Sequence, residues 1–140
     1  MKSRPIPNRP RCAPGMFLLT VAFFALSLAV AQAHARLERS SPANKAALDK
    51  APEKIELWFN ELLDDGFNSI EVFPAAELKE KKRTDFTADK PVVDAKDHTR
   101  LSVALKPLPP GDYVVEWRVL SRDGHSAPGR FRFSVKPPAR

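Results

Sequence analysis

An antiparallel β-sandwich or small Greek-key barrel is the fold this sequence predicts, and three observations carry that prediction. Apolar residues recur at every second position in several separate stretches, and clusters of Pro, Gly, Asn and Asp stand between them. Beyond the first 33 residues, no segment shows the apolar stripe of an amphipathic helix.

The chain opens on a leader. Lys2, Arg4, Arg9 and Arg11 form a basic segment without an acid, and Met16 to Val30 follow as an uncharged apolar run of 15 residues. That is the charged and apolar layout of a secretory signal peptide, and the run is shorter than the roughly 18–20 apolar residues of a membrane-spanning helix. Ala31-Gln32-Ala33 closes it with the small-x-small pattern cut by signal peptidase. Cleavage after Ala33 makes His34 the first residue of a mature domain spanning 34–140. A cut after Ala35 is the alternative and would discard His34. An uncleaved anchor is disfavoured, because no stop-transfer charge pattern follows.

Strands follow in order. Ile55, Leu57 and Phe59 alternate with Lys54, Glu56 and Asn60; Ile70 and Val72 flank Glu71; Leu101, Val103 and Leu105 alternate with Ser102 and Ala104. Tyr113, Val115, Trp117 and Val119 share one face of a longer strand, and Phe131, Phe133 and Val135 alternate with Arg130, Arg132 and Ser134. Each pattern is that of a strand with one buried face. Turns are expected at Ser41-Pro42-Ala43-Asn44, Asp64-Asp65-Gly66, Pro107 to Gly111, Asp123-Gly124 and Pro128-Gly129. Asn44 to Lys50 is the one stretch suited to a helical turn. With shorter strands between these, about seven are expected, in an immunoglobulin-like arrangement. Trp58, Trp117, Phe59, Phe131 and Phe133 lie at strand spacing and are expected in the core.

Composition narrows the function. The only cysteine, Cys12, lies in the leader, so the mature domain has no disulfide, thiolate metal site or cysteine nucleophile. The leader takes four of the 23 basic residues and none of the 17 acidic ones, leaving 19 against 17. That near balance carries no nucleic-acid signature. The one basic run, Lys79 to Arg83, contains Glu80 and is expected to be a solvated loop.

Three histidines remain: His34, His98 and His125. As a mature N-terminus, His34 offers its α-amine and its imidazole to one metal ion as a chelate ring. Asp123 and His125, two apart in "SRDGHSAPG", project to one side of an extended backbone, although Asp-Gly-His is also an ordinary turn. Two nitrogens from one residue, a second imidazole and a carboxylate make the tetragonal N,O set that suits Cu(II). Cu(I) favours thiolate or thioether, and both methionines, Met1 and Met16, leave with the leader. His98 lies among Asp94, Asp97 and Arg100 and is expected in a surface turn. Asp64 and Asp65, beside Gly66, are expected in a turn as well.

"HARLERSSPAN" at 34–44, "KIELWFNE" at 54–61 and "LPPGDYVVEWRVLSRDGHSAPGRFRFSV" at 108–135 resemble the CopC family of periplasmic copper-binding proteins. The resemblance implies a small cupredoxin-like Greek-key barrel that binds Cu(II) in the periplasm and serves copper resistance, homeostasis or delivery. It implies His34, Asp123 and His125 as copper ligands. The acid of the family's F-x-E pattern, here Glu61, would stand near the metal as a supporting group. An inner-membrane copper permease of the CopD type is the implied partner, and the protein is expected to be a monomer. Some members also bind Cu(I) at a methionine-rich middle loop, but here "FPAAELKEKKRTDF" has neither methionine nor histidine. Three classes of function stand at this point. They are a non-catalytic Cu(II) carrier, which the small size favours; a histidine-brace copper enzyme; and a metal-free structural sandwich.

Overall fold

The computed structural model describes residues 34–139; the leader predicted over 1–33 lies outside them. Eight strands follow in chain order: β1 (Leu37–Ser41), β2 (Ala47–Leu48), β3 (Lys54–Phe59), β4 (Ser69–Pro74), β5 (Val92–Val93), β6 (Arg100–Ala104), β7 (Gly111–Leu120) and β8 (Ser126–Val135). They form two four-stranded sheets, ordered β1-β3-β6-β5 and β2-β8-β7-β4. The sheets pack as a sandwich with open edges rather than closing into a barrel. Only β5–β6 and β7–β8 are joined within one sheet, so the remaining connections cross between sheets in the Greek-key manner. Every pairing is antiparallel except β2 against β8, which is parallel.

The inward face of each strand supplies one core. Ile55, Leu57 and Phe59 meet Leu101 and Val103 in the first sheet, and Ile70, Val72, Tyr113, Val115, Trp117, Val119, Phe131, Phe133 and Val135 line the second. Trp117 packs against both Phe59 and Phe131, with ring centroids 6.2 and 6.0 Å apart. Tyr113 is buried as well, and its hydroxyl donates to the carbonyl of Pro109 at 2.5 Å, tying the start of β7 to the turn before it. Phe73 and Val114 are also fully buried, but they lie outside this cluster, paired across β4 and β7. The guanidinium of Arg83 lies over the Phe73 ring at 4.3 Å and reaches Glu116 at 3.1 Å. The basic run therefore ends in an anchor, while Lys79, Lys81 and Lys82 are exposed as expected.

Three expectations are corrected. Trp58 is not in the core: it lies between fully buried Leu57 and Phe59 in β3, hence on the opposite face, where the Arg39 guanidinium stacks on its ring at 3.8 Å. Asn44 to Lys50 makes a turn and then β2 rather than a helical turn. Lys45 has φ of 64°, outside the helical region, and its N–H donates to the carbonyl of Arg132. The helical piece is instead a short 3-10 turn at Ala75–Glu77. Pro128-Gly129, expected as a turn, lies inside β8. There β8 pairs with β7 alone, because β2 reaches only Ser134 and Val135, so a proline N–H is not missed.

Candidate metal centre

The D-G-H stretch forms the loop between β7 and β8, whose last ladder pair is Leu120 with Ser126. Within it, Gly124 N–H donates to the Ser121 carbonyl and Ser121 N–H to the His125 carbonyl, both at 2.9 Å. Gly124 has φ of 89°, a left-handed conformation that glycine adopts without a Cβ penalty. The turn reading of this stretch is thus correct, and the turn also aims two polar side chains. Asp123 Oδ1 accepts the main-chain N–H of His125 at 3.1 Å, and Asp123 Oδ2 lies 3.1 Å from His125 Nδ1. These contacts hold the Asp123 carboxyl below the usual carboxylate range. The main-chain hydrogen bond contributes most, then the imidazole, then the attraction of His125 and His34 when charged.

The connection after β3 is stitched to this loop. Arg122 N–H donates to the Leu62 carbonyl at 3.0 Å, Asp64 N–H to the Leu120 carbonyl at 2.8 Å, and Leu63 bridges Ser121. His98 contacts that connection: its carbonyl accepts Leu63 N–H at 2.8 Å, and its Nδ1 is 3.8 Å from Asp65 Oδ1. As expected it occupies a turn, although the side chain is half-buried rather than fully at the surface.

His34 arrives by another route. Ala35 is 8% exposed and belongs to the core, whereas His34 and Arg36 on either side face solvent. Arg36 is held twice by Asn60: the Arg36 N–H donates to Asn60 Oδ1 at 2.6 Å, and the Asn60 N–H donates to the Arg36 carbonyl at 3.1 Å. From this anchorage the His34 ring meets the His125 ring edge-on, with centroids 5.6 Å apart and planes inclined by 71°. Asn60 has no special mark in the sequence, where it is simply the outward polar residue after Phe59. Glu61 follows it, half-exposed, and among the described residues it makes no hydrogen bond to either histidine.

The structure thus brings His34 and His125 together and sets Asp123 against His125. An imidazole nitrogen binds a first-row divalent ion at about 2 Å, so rings 5.6 Å apart are within reach of one ion. Among the described residues, however, no three His, Cys, Asp or Glu side chains already enclose a metal position. The side chains of His125 and Asp123 are 55% and 41% exposed, which leaves the edge open to an incoming ion.

Comparison with known proteins identifies the family of the chain. The model of the CopC domain matches residues 37–136, a span that includes Asp123 and His125 and begins just after His34. Copper resistance protein C of Xanthomonas campestris pv. juglandis is 36% identical over 123 residues, covering 84% of this chain and 93% of that protein. Copper transport protein CutJ of Bacillus subtilis is 36% identical over 104 residues, 74% of this chain, although the match spans only 18% of that longer relative. Among solved structures, PcoC of Escherichia coli, a methionine-rich copper resistance protein, superposes with a TM-score of 0.62 at 34% identity. The superposition covers 74% of this chain and 100% of that one. These relatives bear the names of copper resistance and transport proteins rather than of enzymes. The matches run through both sheets and the loop between β7 and β8, and the chain therefore belongs to the CopC family.

Proposed function

We propose that the processed chain, beginning at His34, is a periplasmic, non-catalytic Cu(II)-binding protein of copper resistance, homeostasis or delivery. One Cu(II) is bound by the α-amine and imidazole of His34, the imidazole of His125 and the carboxylate of Asp123. The observation that carries this reading is the meeting of the His34 and His125 rings, 5.6 Å apart, at the exposed edge where Asp123 contacts His125. Asp123 Oδ2 stands 3.1 Å from His125 Nδ1, close enough for both atoms to serve one ion. The nitrogen and carboxylate donors of these residues would supply the N,O set that Cu(II) favours. Glu61 takes a supporting place beside Asn60, as a hydrogen-bond acceptor rather than a ligand.

The burial of Ala35 supports cleavage after Ala33. A cut after Ala35 removes a core methyl along with His34, whereas a cut one bond before His34 keeps both and creates the chelating amine. The open edge suits a carrier, because a partner's ligands can approach an exposed ion. The family resemblance names an inner-membrane permease of the CopD type as that partner.

The deciding experiment compares the native mature protein with one carrying a single extra glycine before His34, both titrated with Cu(II) against a competing chelator. The extension turns the amine into an amide and leaves every side chain in place. Changes in the outer shell of metal sites cost about 10–100-fold in affinity, so loss of a direct ligand is expected to cost at least that much. Electron paramagnetic resonance of the native complex is expected to show one type-2 Cu(II) with nitrogen coupling. Equal affinities, or a spectrum without nitrogen ligands, would refute the assignment.

A further inference from the structure

The residue that sets the position of His34 is not itself a candidate ligand. In a regular antiparallel ladder, a hydrogen-bonded pair exchanges two main-chain bonds. Beyond the last β1–β3 pair, Leu37 with Phe59, only half of that exchange is made by the main chain: the Asn60 N–H donates to the Arg36 carbonyl. The other half is made by the Asn60 side chain, whose Oδ1 accepts the Arg36 N–H at 2.6 Å. The amide of Asn60 thus extends the ladder by one residue just where the chain leaves the sheet. Ala35, buried against the core, fixes the following bond from the inside. Together they leave one free residue, His34, whose ring meets His125.

We propose that Asn60 is a positioning residue of the copper centre, holding Arg36 so that the amine and imidazole of His34 are presented to the ion beside His125. The proposal rests on His34 being a ligand, and the test separates the two. Phe59 ends β3 in the core and Asn60 is exposed, so its replacement leaves the sandwich intact. Asn60→Ala removes only the side-chain bond, because the main-chain bond to the Arg36 carbonyl does not depend on it. Asn60→Asp keeps an oxygen in the same place to accept the Arg36 N–H.

The experiment uses the processed protein and its Asn60→Ala, Asn60→Asp and His34→Ala variants. Each is titrated with Cu(II) against a chelator, and the Arg36 amide is followed by hydrogen exchange in the metal-free state. Asn60→Ala is expected to exchange Arg36 faster and to lose about 10-fold in Cu(II) affinity, the lower end of outer-shell effects. Asn60→Asp is expected to restore both. A merely structural role would not give recovery of affinity and Arg36 protection together. Native affinity in Asn60→Ala, with affinity lost in His34→Ala, overturns the proposal while keeping His34 as a ligand. Weakened binding with Arg36 protection unchanged overturns it too, since the effect would not pass through the clamp. Native affinity in His34→Ala overturns the coordination on which it rests.

Discussion

A methyl group added at Gly129 probes the packing of the second sheet most directly. Gly129 lies opposite Trp117 in the β7–β8 ladder, and a Cβ built there falls 2.3 Å from Cζ2 and 2.6 Å from Cε2 of the indole. Carbon atoms in contact stand about 3.5–4.0 Å apart, so the ring has to retreat by roughly 1 Å or more. It has little room: Trp117 is buried and hemmed in by Phe59 and Phe131. Overpacking a core costs about 1–3 kcal/mol, and a clash with a rigid, enclosed ring belongs at the upper end. Gly129→Ala is therefore expected to lose about 2–3 kcal/mol, a fall in melting temperature of about 10–20 °C for a domain of this size. Thermal and urea unfolding followed by circular dichroism measure it. In a Trp117→Phe background the six-membered part of the indole is gone, so the same methyl should cost much less, and the cycle reads the coupling directly. A Gly129→Ala protein that melts with the native one, or costs that add without coupling, would refute the clash.

Other consequences can be measured alongside. Tyr113→Phe removes the hydroxyl bond to the Pro109 carbonyl and is expected to cost about 1 kcal/mol in urea unfolding, whereas an unchanged midpoint would show that the bond contributes nothing net. The ion-paired hydrogen bond from Arg100, followed by the N–H groups of Asp97 and Lys96, lowers the Asp94 pKa to about 2. A depressed carboxyl stabilises the fold above its unfolded pKa, about 3.9, and that contribution disappears as pH falls through about 2. Native and Asp94→Asn proteins should accordingly differ in stability at pH 6 and converge by about pH 2; a constant difference would contradict the pairing. Copper binding should weaken on acidification, because protons compete for the amine and both imidazoles, and an affinity flat from pH 8 to 5 would count against three nitrogen ligands. With no cysteine or methionine after residue 33, ascorbate should release the copper to a Cu(I) chelator, and retention under those conditions would mean that a Cu(I) site exists elsewhere.

Much of the sandwich is legible in the sequence because its long strands have one wet face. β7 and β8 alternate along most of their length, buried Val114 excepted, and parity places Tyr113, Trp117 and Phe131 inside. The same parity places Trp58 outside, and the expectation of a core tryptophan gave weight to its size over its phase. β2 and β5 are two residues long, too short to show any period, and β1 has Leu37 as its only apolar residue. At the candidate centre, His34 and His125 are readable because histidine is rare in this chain, and Asp123 because it lies two residues from His125. Asn60 is not readable, since its partner lies 24 residues away and the bond uses a main-chain group that every residue carries.

The burial of Ala35 beside an exposed His34 has a consequence for timing in the cell. The core is anchored at Ala35, and the proposed chelate does not exist until the peptide bond between Ala33 and His34 is broken. Before that event the nitrogen of His34 is an amide, so under the proposed coordination the precursor would hold copper more weakly, as expected for the glycine-extended protein. Under that coordination a chain with its leader still attached would compete less well for copper, and removal of the leader would strengthen binding. Protein produced without its leader behind a retained initiator methionine should fold, melt normally and yet report a falsely weak site.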